Sequence, residues 1–237
     1  MNLEDHFISQ FNNVNIGDDG AYIDGYVYSK DAFFENVHFR TDWMSYYQIA
    51  VKAMLVNISD AIAMNAKPIY ALLAVAMPKT ITKQQRKELV KGFEDVAKEY
   101  SLEIIGGDTI ANNKLDISVT IISKTNKPLF RKGVRSNDLF AYTGDLGKSK
   151  KDLKRLLYGG KINKNSKFVN IKLRQKFVSQ STRFLNTGMD ISDGLYADLK
   201  KLLKLNNIGA KNIKKLAKDV ACSGEEYEML VSFDRRY

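Results

Sequence analysis

From Ala50 to Met64 the chain reads AVKAMLVNISDAIAM, an almost unbroken run of apolar positions. A helix made from such a run has no broad polar face, so it must be buried on all sides and the rest of the chain must wrap around it. Asn57, Ser59 and Asp60 interrupt its second half, and the helix ends near Lys67-Pro68, because a residue before proline is disfavoured in helical geometry. A carboxylate in this setting is costly unless it is ion-paired, hydrogen-bonded or bound to a metal ion. No basic residue lies within one helical turn of Asp60. Its partner must come from elsewhere, and on this stretch alone a distant Lys or Arg and a metal ion are equally acceptable.

With 237 residues, 44% of them hydrophobic, the chain can build one large cored domain or two small ones. No apolar run approaches the roughly 20 residues that cross a bilayer. The opening MNLEDHFISQ lacks the basic start and apolar centre of a secretory signal, so the sequence reads as cytoplasmic with no membrane partner. One cysteine, Cys222, leaves no internal disulfide and no all-cysteine metal site. The net charge of +10 is uneven: residues 1–147 carry 16 Lys and Arg against 18 Asp and Glu, and residues 148–237 carry 21 against 9. Such asymmetry raises a nucleic-acid reading. Yet the densest stretch, Lys148 to Lys176, has only Tyr158 and Phe168 beside its eleven basic residues, and no array that would stack bases. It reads as a solvated lysine-rich face, or as a lobe that attracts small anions, with no nucleic-acid partner.

Taken in order, strands and helices alternate. Asp24-Gly25 between two alternating apolar runs signals a tight hairpin over Ala21–Ser29. The buried helix spans about Tyr46–Asn65, a central strand Ile69–Met77, an amphipathic helix Thr82–Tyr100 and a short strand Leu102–Ile105 that runs into Gly106-Gly107-Asp108-Thr109. Leu115–Ser123 alternates as another strand. The polar stretch Lys124–Asp138 marks a boundary, giving domains 1–137 and 138–237. In the second half, strands are expected at Leu139–Thr143 and Glu228–Phe233. Helices are expected at Ser149–Tyr158, Ile171–Phe184, from the GMDISDGL stretch to about Leu205, and near Asn212–Lys218. The alternation indicates an α/β or α+β fold.

The chemistry lies in the acids. Asp18-Asp19, Asp31, Asp60, Asp108, Asp190 and Asp193 each stand at a turn, a strand end or in an apolar context, and glycine adjoins Asp19, Asp108 and Asp193. Dispersed hard oxygen donors without a Cys or His cluster suit Mg²⁺, which binds through a few carboxylates together with substrate phosphates. That pattern points to metal-assisted phosphoryl transfer. With His6 and His38 as the only histidines, and no Gly-x-Ser-x-Gly turn, the sequence argues against a serine hydrolase. No Gly-x-x-x-x-Gly-Lys-Ser/Thr loop is present, so a nucleotide would be held through carboxylate-bound metals instead.

The motifs GDD at 17–19, Asp31 followed by ENVHF, NISDAIAMNAKP at 57–68, IIGGDT at 104–109, RKGVRSND at 131–138, TGDLG at 143–147, MDISDGL at 189–195 and SGEEYEML at 223–230 resemble, in order, the thiamine-monophosphate kinases. The resemblance implies the two-domain fold shared with aminoimidazole ribonucleotide synthetase, with an N-terminal domain that makes a homodimer through its strands and a shortened C-terminal α/β domain. It implies ATP-dependent phosphorylation of thiamine monophosphate to thiamine diphosphate, with several Mg²⁺ ions. It assigns Asp19, Ser29, Lys30, Asp31, Asp60, Asp108, Asp190 and Asp193 to metal. Gly107, Asp108, Arg131 and Ser192 fall to the nucleotide, and His38 and Glu225 to the thiamine phosphate. Asp60, Asp108 and Arg131 would carry catalysis. Three departures stand out: Lys30 replaces a small hydroxyl residue and has no side-chain oxygen to give; Glu226 replaces Asp; and the sequence ends at Tyr237, short of the usual family length, where an aromatic helps to bind thiamine. A same-fold enzyme acting on another small substrate and a noncatalytic nucleic-acid module are the competing readings.

Overall fold

A computed structural model describes residues 3–211 and 215–237. After a short helix α1 (Leu3–Ile8), its centre is α2 (Tyr46–Ala63), in which Ile49, Ala50, Ala53, Met54, Ile58, Ala61 and Ala63 have no exposed surface. The helix starts at a capping box: Ser45 Oγ accepts from the Gln48 amide at 3.2 Å, and Gln48 Oε1 accepts from the Ser45 amide at 3.0 Å. It stops where Asn65 takes a left-handed backbone, three residues before Pro68.

The first sheet covers one side of α2. Its strands β1 (Ala21–Ile23), β2 (Tyr26–Phe34), β3 (Lys67–Pro78), β4 (Glu103–Asn112) and β5 (Asp116–Lys124) lie in the order β1-β2-β5-β3-β4. Asp24 and Gly25 close the first hairpin with φ of 51° and 86°, as a two-residue loop between strands of right-handed twist requires. Only β3 and β4 are parallel, and the crossover between them is α3 (Lys83–Tyr100), capped by Thr82 and Gln85 as α2 is by Ser45 and Gln48. α3 packs closely on α2, since a β-carbon at Gly92 would stand 2.6 Å from the Tyr47 carbonyl.

Alternation along the strands gives this sheet two unlike faces. Val27, Ser29, Phe33, Ala71, Ile117, Val119 and Ile121 are buried on the side of α2. Tyr28, Lys30, Phe34, Tyr70 and Leu72, on the opposite parity, are exposed.

A second sheet, in the order β6-β8-β7, is antiparallel and formed by β6 (Leu139–Tyr142), β7 (Leu185–Asp190) and β8 (Met229–Phe233). Around it lie α4 (Lys148–Leu157), α5 (Gln175–Ser181), α6 (Leu195–Asn206) and α7 (Lys218–Ala221). The core around α2 includes Phe168, Val178, Met229 and Val231 from this second half, so α2 is packed from both sides. Among the described residues no helix is long and apolar enough to cross a membrane.

Three expectations need correction. β4 does not end at Ile105 but continues through the two glycines to Asn112, because a register shift between Ala71 and Leu72 lets it keep pairing with β3. The helix expected over residues 171–184 spans only Gln175–Ser181, since Ile171 is drawn into the main core ahead of it. Of the helix expected near residues 212–218, residues 212–214 lie outside the described residues, and the short helix found is α7.

Candidate active site

Asp60 on the last turn of α2, Asp190 at the end of β7 and Asp19 in the loop before β1 bring carboxylate oxygens within 4.8 Å of one another. Asp31, on the α2 side of β2, adjoins them closely enough to interact with both Asp19 and Asp60. α2 organises the group. Asn57 Oδ1 accepts from the Asp31 amide at 2.7 Å, and Ser59 Oγ donates to Asp190 Oδ2 at 2.6 Å. The interruptions of the apolar helix are therefore the groups that fasten the acids around it.

Four carboxylates in one largely dry place repel each other. Burial, and then neighbouring acids, push Asp31 up to about 6, Asp190 to about 8 and Asp60 well above the ordinary carboxylate value. Arg131 is the cation that answers them most directly, with Lys201 acting on Asp19 from farther off. The Arg131 guanidinium pairs with Asp19 Oδ1, while the Arg131 backbone amide donates to Asp18 Oδ1 at 2.6 Å. Burial still holds the Asp19 carboxyl above its usual range despite that partner. Asp19 Oδ2 and Arg131 Nε are buried without a hydrogen bond among the described residues. An orphaned buried oxygen within a cluster of hard anionic donors fits Mg²⁺, and the excess of acids over bases fits more than one positive charge.

Beside this group lies a second one. His38 stacks on Phe33 at 5.6 Å between centroids, and its Nδ1 accepts from the Phe34 amide at 3.0 Å. Glu225 and Lys52 both act on its charge. Glu225 has φ of 55°, a strained turn held by two bonds: its amide donates to Ser192 O at 2.7 Å and its carbonyl accepts from Ser149 Oγ at 2.8 Å. The loop behind it rests on buried acids. Glu226 Oε1 accepts from Gly147 N at 2.7 Å and Ser223 Oγ at 2.5 Å, so the longer Glu in place of Asp still anchors the turn. Burial pushes the Glu228 carboxyl up, but hydrogen bonds from Arg174, Lys167 and Thr143 more than offset this and leave it below its ordinary value.

Other expected site residues are not gathered here. Asp108 and Lys30 lie on the open face of the first sheet, opposite in strand parity to Asp31. Asp108 accepts from the Thr109 amide at 2.8 Å, and Lys30 Nζ donates to Ser118 Oγ at 2.9 Å. The Lys30 side chain, at a position the family resemblance gives to metal, carries an ammonium and points away from the acids. Ser29 faces α2, but its hydroxyl is bound to Asn57 O at 3.2 Å. Asp193 is more than half exposed and pairs with Lys201 at 2.5 Å, in a loop whose amides at 193 and 194 are held by Asp198 Oδ2. Gly107 serves sheet packing, for with φ of 148° an added β-carbon would overlap Leu73 O at 1.7 Å. Ser192 accepts from the Glu225 amide through its carbonyl.

Two residues were missed from the sequence. Lys52, hidden in the apolar run, is fully buried and pairs with Glu225 at 2.6 Å. Tyr227 is buried between the groups, its hydroxyl held well above its usual pKa by burial and by Glu225, Asp190, Asp31 and Asp60. An isolated lysine in an otherwise apolar helix was the available signal for the first.

Residues 17–125 match the family described as AIR synthase related protein, N-terminal domain. The chain is 32% identical over 211 residues to a thiamine-monophosphate kinase of Rhodopirellula baltica, covering 84% of this chain and spanning 63% of that relative's length. It is 31% identical over 252 residues to the thiamine-monophosphate kinase of Buchnera aphidicola, covering 93% of this chain and 77% of the other. Its fold matches that of AaThiL complexed with AMPPCP and TMP with a TM-score of 0.89 and 24% identity, over 99% of this chain and 84% of that one. The chain belongs to the thiamine-monophosphate kinase family.

Proposed function

We propose that this chain transfers the terminal phosphoryl group of ATP to the phosphate of thiamine monophosphate, forming thiamine diphosphate and ADP. The observation that carries this reading is the convergence of Asp19, Asp31, Asp60 and Asp190 beside a separate His38 and Glu225 pair, in a chain of this family. A nucleotide analogue and TMP bound to a relative of the same fold support it.

In the reaction the bond between the β–γ bridging oxygen and the γ-phosphorus breaks, a phosphate oxygen of the acceptor bonds to that phosphorus, and ADP leaves with the electron pair. The acceptor oxygen is already ionised, so no residue has to remove a proton. This agrees with a site whose acids are buried and whose histidine lies with the acceptor residues. Asp19, Asp31, Asp60 and Asp190 would hold Mg²⁺, which supplies neutralisation of phosphate charge. Arg131, poised against Asp19, offers a guanidinium to an incoming phosphate. Glu225 and His38 orient the thiamine moiety, and the Asp198-held loop from Ile191 to Gly194 presents Ser192 to the nucleotide and Asp193 to metal.

We assign Asp108 to the nucleotide side by family position, and the division at 137/138 as the boundary between an N-terminal and a C-terminal domain. The open face bearing Tyr28, Phe34, Tyr70 and Leu72 is the surface through which two copies would pair. Initial rates with thiamine monophosphate, thiamine and simple phosphate monoesters as alternative acceptors test the reading. Marked preference for thiamine monophosphate is expected; an equal or better rate with a different phosphorylated acceptor would make the chain a same-fold kinase of another substrate.

A further inference from the structure

A lysine is almost never buried completely without a specific anionic partner. Lys52 has 0% exposure, and its ammonium sits 3.7 Å from the centroid of the Phe168 ring, with the Phe33 ring at 5.8 Å on another side. Its ion-pair partner is Glu225 Oε2 at 2.6 Å. Phe33 and Lys52 belong to the first half of the chain, Phe168 and Glu225 to the second, so this contact joins the two halves at the acceptor residues.

The geometry around Glu225 is divided between them. Ser192 and Ser149 hold its backbone, whereas Lys52 holds one oxygen of its carboxylate. Oε1 has no partner among the described residues, and the side chain is 26% exposed, so this second oxygen is the one left to a ligand. The ammonium itself cannot follow a ligand, because two rings and the helix enclose it.

We propose that Lys52 is a positioning residue for acceptor recognition: by fixing Glu225 Oε2 from within α2, it aims Oε1 at the acceptor and sets how tightly the acceptor is held. This rests on reading Glu225 as an acceptor-binding residue. The aromatic rings make the arrangement stiff, since a cation over a ring face is favourable when desolvated and leaves few rotamers. A carboxylate held in one rotamer binds its ligand without a further ordering cost.

The test is a double-mutant cycle in the full chain with Lys52→Met, Glu225→Gln and the pair, read by steady-state kinetics in both substrates and by thermal unfolding. Methionine keeps the length of the side chain against Phe168 and removes the charge. Lys52→Met is expected to raise KM for thiamine monophosphate about tenfold, the loss of part of a charge-assisted contact, with KM for ATP within about twofold. The double variant should be no worse than the weaker-binding single, because the two residues act as one unit. An unchanged KM for thiamine monophosphate, an equal rise for ATP, or multiplying effects in the double variant would each overturn the proposal. Should Lys52→Met not fold, Glu225→Asp keeps the charge but withdraws the carboxylate from Lys52; it is expected to weaken acceptor binding as much as Glu225→Gln, and a wild-type KM overturns the proposal. If the unaltered chain does not phosphorylate thiamine monophosphate, the functional reading fails by itself, while non-additive unfolding temperatures still report the Lys52–Glu225 pair.

Discussion

Ser59 Oγ donates a 2.6 Å hydrogen bond to Asp190 Oδ2, joining the last turns of the central helix to the end of a strand in the other sheet. Both residues are buried, and they lie 131 positions apart in the chain. The bond fixes the distance between Asp60, one residue beyond Ser59, and Asp190. Ser59→Ala should therefore cost about 1–3 kcal/mol of stability, the range for a buried acceptor left unsatisfied, and lower turnover as well. Urea unfolding together with kcat checks both; unchanged stability would mean that the bond does not tie the halves together.

Asp60→Asn and Asp108→Asn separate two kinds of site residue. Each is expected to lower turnover, the first by about a hundredfold or more, as loss of electrostatic stabilisation at a reacting centre does. They should differ in metal response. Mg²⁺ raises the melting temperature of a protein that binds it in the folded state, and Asp60→Asn should abolish that rise while Asp108→Asn retains it, since Asp108 lies apart on the open face. Differential scanning calorimetry with and without Mg²⁺ makes the comparison; loss of the rise in Asp108→Asn would place that residue among the ligands.

The acid cluster also sets a pH dependence. Carboxylates whose folded pKa is raised favour the protonated folded form, so their stabilising contribution is full below the unfolded value and is lost as pH rises through the folded one. With Asp31 at about 6 and Asp190 at about 8, metal-free protein should lose stability between roughly pH 4 and pH 8 from these groups. Divalent cations oppose the same repulsion. The gain in melting temperature on adding Mg²⁺ should therefore be larger at pH 8 than at pH 5.5, and a gain independent of pH would contradict the placement of these acids.

Pairing of two copies is predicted through the open sheet face. Leu72→Glu places a charge among Tyr28, Phe34 and Tyr70 without touching the core beneath α2. Light scattering at micromolar concentration should show a dimer for the unaltered chain and a monomer for the variant; two equal masses would exclude this face.

Much of this was legible in the residues. The apolar run around Asp60 announced a buried helix and a carboxylate in need of a partner, and the structure gathers Asp19 and Asp190 beside it, with Asp190 tied to the helix through Ser59 and the Asp31 backbone through Asn57. The hairpin at Asp24-Gly25 and the amphipathic span of α3 were readable because local chemistry decides them. β4 was not, because Gly106 and Gly107 look like a turn until β3 is placed beside them. Lys52 escaped because its meaning depends on Glu225 and Phe168, more than a hundred residues away. Asp108 and Asp60 look alike in sequence, and only strand parity shows that they occupy different surfaces.

The buried carboxylates would support transfer of a phosphoryl group from ATP to thiamine monophosphate. It is tested most directly by measuring ADP and thiamine diphosphate together, in one reaction, with and without Mg²⁺. The two products should appear in equal amounts, only when Mg²⁺ and thiamine monophosphate are both present. ADP formed without thiamine diphosphate, or turnover at an undiminished rate after chelation of Mg²⁺, would contradict it.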